Sequence, residues 1–308
     1  MPYPLRIVFM GTPDFAVTSL RRLLDGGCQV VAVVTAPDRP SGRGLTLTPS
    51  PVKKAAQQAN LPVLQPEKLR DPAFLNELAD YKADLQVVVA FRMLPEVVWS
   101  MPTIGTFNLH GSLLPQYRGA APINWAIMNG ETQTGVTTFL IEKEIDTGQM
   151  IYQDQEAIYP DDTAGTLHDR LMERGADLVL RTVRAIETGN YPRIPQPPTH
   201  NLKPAPKLSR ETTEINWNQP ARLIRNFVRG LSPFPTAWTL INHKFFKVYA
   251  VSVANESPFV AEPGMAYTDH KKTILVRAAD EWVSIDSLQA EGKRRMMTEE
   301  FLRGNRLL

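Results

Sequence analysis

Cysteine is almost missing from this chain: Cys28 is the only one in 308 residues. One thiol can form neither an internal disulfide nor a cysteine-rich metal site, and its scarcity points to a reducing compartment. Long apolar runs are missing too; no uncharged apolar run approaches the ~18 residues of a membrane span. Met1-Pro2-Tyr3-Pro4 leads straight into an apolar strand pattern. That start has neither the plan of a signal peptide nor that of a transit peptide, so a cytoplasmic chain of bacterial type with no membrane partner is expected. Gly11 belongs to no G-x-G-x-x-G, which removes the dinucleotide fingerprint. No G-x-S-x-G occurs and Cys28 sits in the first α/β unit, so no nucleophile is evident. The five histidines are too scattered to suggest a metal site.

A strong net charge is absent as well, at only +2, but the charge is unevenly placed. Residues 1–189 carry 17 basic against 21 acidic side chains, and residues 190–308 carry 17 against 11. A near-neutral first part and a basic second part suit one domain for chemistry and one for a polyanion. An incidental imbalance with no partner is the competing explanation.

The length favours two domains. Leu5 to Met10 is an apolar run ending at Gly11, which reads as a tight strand-to-helix turn. A helix follows through Leu24, and then Val30 to Val34, apolar on both faces like a buried parallel strand. The β-turn-α-β order predicts a doubly wound, Rossmann-like α/β domain with a mostly parallel sheet over residues 1–189. Further strands are expected at 85–90, 105–109 and 135–140. A long helix from about Thr163 carries an apolar stripe of Leu167, Leu171, Leu178, Val179, Val183 and Ile186. Residues 36–51 are too rich in proline and glycine for a regular element and read as a long loop with Arg39 and Arg43 as its basic side chains. Residues 190–207 hold six prolines and read as a semi-rigid linker. From 208 to 308, short alternating runs predict a small OB-like β-barrel.

Chemistry concentrates at Phe107-Asn108-Leu109-His110-Gly111-Ser112-Leu113-Leu114-Pro115. A strand there would place Asn108, His110 and Ser112 on one side and deliver them at its carboxyl end, where ligands of open α/β sheets bind. Asn108 can donate to a developing oxyanion, and His110 can move a proton. A turn asparagine and a structural histidine are the bland alternatives. Asp146, in Ile145-Asp146-Thr147-Gly148, would join them only if the chain folds back onto His110. These residues alone suggest acyl-type chemistry without a covalent intermediate or a metal.

Asn108 to Pro115, Tyr117-Arg118-Gly119-Ala120-Ala121-Pro122 and Ile145-Asp146-Thr147-Gly148 together resemble the formyltetrahydrofolate-dependent formyltransferases. Phe9 to Phe15, Pro37 to Gly44 with Leu47 to Lys53, and Arg229 to Trp238 are similar, within that family, to members acting on methionyl-tRNA. The likeness spans nearly the whole chain. It implies transfer of a formyl group from 10-formyltetrahydrofolate, as cosubstrate, to the α-amino group of methionyl-initiator tRNA. Nothing in the sequence suggests an obligate dimer, so a monomer is expected, and no metal is expected. It implies Asn108, His110 and Asp146 as the catalytic set and Ser112, Leu113, Leu114 and Pro115 along the folate site. It also implies Arg43 in a loop that meets the tRNA acceptor end, where phosphate neutralisation is expected from Arg39, Arg43, the linker residues Lys203 and Lys207 and the basic barrel. Formyl transfer to a small amine (a glycinamide ribonucleotide or an amino sugar), a formyltetrahydrofolate hydrolase, and a tRNA-binding protein without catalysis are the alternatives. The chain departs from the family at Leu45-Thr46, where lysines are common, and at Phe91-Arg92, where many members carry tyrosine-glycine.

Overall fold

Hydrophobic runs become strands and capped stripes become helices along most of the chain. The computed structural model describes residues 4–41, 46–198, 200–254, 257–305 and 307. In chain order the elements are β1 (Arg6–Gly11), α1 (Asp14–Asp25), β2 (Gln29–Val34), β3 (Arg39–Ser41), β4 (Thr46–Thr48), α2 (Pro51–Gln58), β5 (Val63–Leu64), α3 (Pro72–Asp80), β6 (Leu85–Val89), α4 (Glu96–Trp99), β7 (Gly105–His110), α5 (Pro122–Met128), β8 (Gln133–Leu140), β9 (Met150–Ala157) and α6 (Ala164–Glu187). They continue with α7 (Ala221–Leu231), β10 (Ala237–Ile241), β11 (Lys244–Val253), β12 (Ala266–Thr268), β13 (Ile274–Arg277), β14 (Trp282–Ala290), β15 (Met296–Met297) and α8 (Thr298–Gly304).

By packing, the chain divides into two units. The first comprises Met1–Arg118, Gly135–Glu156 and His168–Lys203; the second comprises Gly119–Thr134, Ala157–Leu167 and Pro204–Leu308.

The first unit is built on a seven-stranded sheet in the order β5-β2-β1-β6-β7-β8-β9. The pairs β5–β2, β2–β1, β1–β6 and β6–β7 are parallel, and β8 runs antiparallel to β7. This is the mostly parallel, Rossmann-like architecture expected from sequence. All five residues of β6 are buried, as a central parallel strand requires. Val8, Met10, Ala32, Val34, Phe74, Leu78, Val88 and Val98 close one core of this unit. Gly11 is the turn glycine: a Cβ there would lie 2.5 Å from the Ala16 Cβ and 2.9 Å from the Val89 carbonyl. Helix starts follow their caps. The Ser50 hydroxyl accepts the Lys53 N–H at 3.0 Å before α2, and the Asp71 carboxylate accepts the Ala73 N–H at 2.9 Å before α3, each with proline in the first turn. The stripe predicted on the long helix is buried in full along α6.

In the second unit, a curled antiparallel sheet of six strands runs β10-β11-β14-β13-β12, with β15 pairing on β14. This is the small OB-like β-domain expected. Helix α7 presents Ala221, Ile224, Val228 and Leu231 to its core, a helical spacing that packs on Phe246, Val248 and Val276.

Two local expectations need correction and a third is extended. Residues 36–51 hold a short antiparallel hairpin, β3–β4, with Arg39 paired to Thr48. Pro40 lies within β3 itself, so a proline-rich composition does not exclude strands here. The proline-rich stretch, expected as a semi-rigid linker, gains the detail that backbone hydrogen bonds hold it at two points. Ile194 exchanges both backbone hydrogen bonds with Met150, at 2.8 and 2.9 Å, and Ala205 is fully buried, its carbonyl accepting the Ala121 N–H at 3.2 Å. Ser112 lies beyond the end of β7, so it does not continue the alternation of Asn108 and His110.

Candidate active site

Strand β7 places Asn108 beside Val88 on β6 and Phe139 on β8, with His110 at its carboxyl end opposite Thr137. Asn108 and His110 are two residues apart and share a side of the strand. The Asn108 carboxamide, half-buried, makes no hydrogen bond to protein among the described residues. The His110 ring is 5% exposed and meets the Phe139 ring edge-on, with centroids 6.5 Å apart.

The ring's two nitrogens face different partners. Nε2 lies 2.8 Å from the Tyr117 carbonyl, which only accepts, so Nε2 carries a hydrogen and donates it. Nδ1 faces the Asp146 carboxylate at 3.9 Å. With Nε2–H fixed, neutral His110 offers Nδ1 as an acceptor. Protonated His110 offers a second N–H toward a carboxylate. Nδ1 is thus the ring atom placed to gain and lose a proton beside a carboxylate, as a proton-transfer group requires.

Asp146 reaches His110 because the segment after β8 turns sharply. Asp146 adopts φ 54°, a left-handed conformation that aspartate tolerates. Gly148 then passes so close to β8 that a Cβ would run into the Leu140 carbonyl oxygen. Gln196 braces this turn, its Nε2 donating to the carbonyls of Asp146 at 2.8 Å and Gly148 at 2.9 Å. Arg118 in turn donates to Gln196 Oε1 through Nε at 3.1 Å and Nη2 at 2.6 Å. Sequence reasoning misses both Arg118 and Gln196. The only signal for them is the presence of Arg118 in the Tyr-Arg-Gly stretch; Gln196 is one polar residue among prolines.

The Ser112–Pro115 loop is held from inside. The Ser112 hydroxyl donates to the Gln116 carbonyl at 2.6 Å, and the Thr137 hydroxyl donates to the Ser112 carbonyl at 2.7 Å. Gln153 Nε2 donates to the Leu114 carbonyl at 2.9 Å, and Leu114 packs on Phe139 and Met150. Ser112 therefore shapes the loop, while Leu113 and Pro115, half-buried, supply its apolar surface. Arg92 donates to the carbonyls of Glu67 at 2.9 Å and of Pro66, and so turns back onto its own unit. Burial pulls its guanidinium below the usual arginine range.

Arg39, Lys203 and Lys207 are exposed. Lys203 is tied down through its backbone, its carbonyl accepting the Tyr117 N–H at 2.7 Å. Arg43 lies outside the described residues. At the foot of the β3–β4 hairpin, Asp38 accepts from Lys53 Nζ at 2.7 Å and Gln65 Nε2 at 2.8 Å. Among the described residues, no group of three or more His, Cys, Asp or Glu side chains could hold a metal ion.

The sequence model of the formyl transferase family matches residues 5–183, and that of the formyl transferase C-terminal domain matches residues 207–306. The chain belongs to the formyl transferase family. A methionyl-tRNA formyltransferase of Bacteroides thetaiotaomicron is 52% identical over 98% of this formyl transferase and 96% of the relative. One of Parabacteroides distasonis is 54% identical over 97% and 95%. Among solved structures, an N-formyltransferase of Helicobacter canadensis in complex with folinic acid and dTDP-3-aminofucose has the same fold. It matches with a TM-score of 0.69 at 20% identity, over 93% of this formyl transferase and 99% of that chain. No helix among the described residues is long and apolar enough to cross a membrane.

Proposed function

We propose that this enzyme transfers the formyl group of 10-formyltetrahydrofolate to the α-amino group of methionyl-initiator tRNA, as a cytoplasmic monomer. The observation that carries the reading is the placement of His110 between the Tyr117 carbonyl and the Asp146 carboxylate, beside an Asn108 amide with no protein partner among the described residues. The substrate pair is supported by curated relatives at about half identity over nearly the whole chain.

The folate is a cosubstrate and supplies an activated formyl carbon. The uncommitted Asn108 amide and the half-buried Leu113 and Pro115 fit an acyl donor with an apolar ring system. An α-amino group has a pKa of about 7.7–8.0, so a useful fraction is neutral and nucleophilic near pH 7. As the amine nitrogen bonds to the formyl carbon, the Asn108 N–H groups stabilise the charge developing on the formyl oxygen, a contribution of roughly 3–4 kcal/mol for such a donor. His110 Nδ1 takes the proton the amine loses, and Asp146 stabilises the imidazolium that results. The same proton goes to the folate nitrogen as its bond to the formyl carbon breaks, so proton and acyl group balance. Arg39, Arg43, Lys203 and Lys207 neutralise phosphates of the tRNA, with residues 1–189 catalytic, 190–207 linking and 208–308 holding nucleic acid.

The test is formylation with 10-formyltetrahydrofolate as donor and four acceptors: methionyl-initiator tRNA, methionyl-elongator tRNA, a glycinamide ribonucleotide and a nucleotide-linked amino sugar. Formylation confined to the initiator tRNA is expected. Faster transfer to either small amine would overturn the reading.

A further inference from the structure

The outer face of the C-terminal sheet carries an aromatic and basic row that the catalytic reading does not use. On β10, Ala237, Thr239 and Ile241 are buried, so Trp238 and Leu240 face outward. On β11, Phe246 and Val248 are buried, so Phe245 and Lys247 face outward. The register sets Trp238 beside Lys247 and Lys247 beside Gln289, giving one row across three strands. Phe245 stacks on Trp238 with ring centroids 5.3 Å apart and 29° between planes. The Arg210 guanidinium lies over both rings, 5.5 Å from Trp238 and 5.4 Å from Phe245. Trp238 Nε1–H donates to the Arg210 carbonyl at 2.7 Å, which fixes the cation on its aromatic bed. These residues line a groove of about 650 Å³.

Two features give the groove a ligand chemistry. Among the described residues, neither the Arg210 guanidinium nor the Lys247 ammonium makes a hydrogen bond or an ion pair, so two cations stand beside an aromatic pair with their donors uncommitted. Glu211, next to Arg210, is instead bonded to the Ser209 hydroxyl at 2.6 Å, and Glu291 is the one carboxylate in the lining. An apolar ligand would leave the cations unanswered, and an acidic peptide would leave the rings unused. A nucleotide satisfies both, its base stacking on the ring-and-guanidinium tier and its phosphate bridging Arg210 and Lys247.

We propose that this groove binds an unpaired nucleotide of the tRNA substrate, contributing to affinity and not to the chemical step. The proposal rests on the tRNA reading above. The full-length Arg210→Gln/Lys247→Gln double variant tests it without disturbing buried atoms, once its thermal midpoint is shown to match wild type. Its KM for charged tRNA is expected to rise about tenfold, with kcat and the KM for the folate donor within about twofold, and the slope of log KM against log salt to fall by about one per cation removed. In a second arm, an eight-nucleotide single-stranded RNA quenches tryptophan fluorescence of wild type, and Trp238→Phe removes that quench. A stable double variant with unchanged KM and salt slope would overturn the proposal. Adenosine monophosphate quenching as tightly as the oligonucleotide, with the tRNA KM unmoved, would mark a free-nucleotide site and overturn it too. If wild type formylates no tRNA, the functional reading fails on its own, and the oligonucleotide arm still decides whether the groove takes nucleotides.

Discussion

His110 has two ring nitrogens, and the fold gives each a different task. The Tyr117 carbonyl fixes the proton on Nε2, leaving Nδ1, which faces Asp146, as the atom that exchanges a proton in the proposed reaction. That division depends on where Asp146 stands, and Asp146 stands where Gln196 holds its turn. Gln196 commits its amide hydrogens to the carbonyls of Asp146 and Gly148 and gives its oxygen to Arg118. Gln196→Ala is expected to lower kcat about 10- to 100-fold while leaving the KM for tRNA within about twofold, because a small displacement of an orienting group is costly in rate. Gln196→Glu keeps an acceptor for Arg118 but loses the two donors, and should show the same pattern. Steady-state kinetics on both variants check this; a change in KM alone would place Gln196 outside the catalytic arrangement. Asn108 and His110 can be named as candidates from sequence because their residue types carry chemistry, and Asp146 joins them through the family resemblance. Tyr117, Gln196 and Arg118 act through a carbonyl, an amide and a brace, and no residue pattern announces those roles.

Elements are legible in the sequence where burial dictates pattern and illegible where a few hydrogen bonds decide. The parallel strands and α6 follow from unbroken apolar runs and a helical stripe. The β3–β4 hairpin and the edge strands β12 and β15 are two or three residues a strand and rest on local bonding, while α4 and α8 bury apolar side chains but, at four and seven residues, are too short to show a helical stripe. The β12–β13 turn shows the point. Asp269 Oδ1 accepts the backbone N–H groups of Lys271 at 2.9 Å, Lys272 at 2.8 Å and Thr273 at 2.9 Å. Burial would raise this carboxyl, but the three N–H groups outweigh it and hold it well below the usual carboxylate range. A carboxyl lowered in the folded state stabilises the fold above its ordinary value of about 4 and loses that contribution as pH falls below it. Asp269→Ala is therefore expected to cost about 1 kcal/mol at pH 7, at the scale of exposed hydrogen bonds. Thermal melts of both proteins should converge as pH drops from about 5 toward 2. A gap that stays constant over that range would show that the turn carboxylate contributes nothing through its charge.

At the scale of the molecule, charge is unevenly placed along the chain. The three residues assigned to formyl transfer fall in the first packing unit, while the aromatic row with its uncommitted cations falls in the second. The charge imbalance of the sequence points to such a split. It does not show that residues 119–134 and 157–167 pack with the C-terminal segment, because discontinuous packing leaves no compositional mark. Formyl transfer by Asn108, His110 and Asp146 is decided by single-turnover formylation with charged initiator tRNA and folate donor both saturating. Asn108→Ala, His110→Ala and Asp146→Ala should each slow the first turnover about 10²- to 10⁴-fold with tRNA binding retained. The His110→Ala/Asp146→Ala pair should be little slower than its worse member, since the two residues act as one unit. A folded His110→Ala or Asp146→Ala enzyme that formylates at a rate near that of wild type would contradict the assignment.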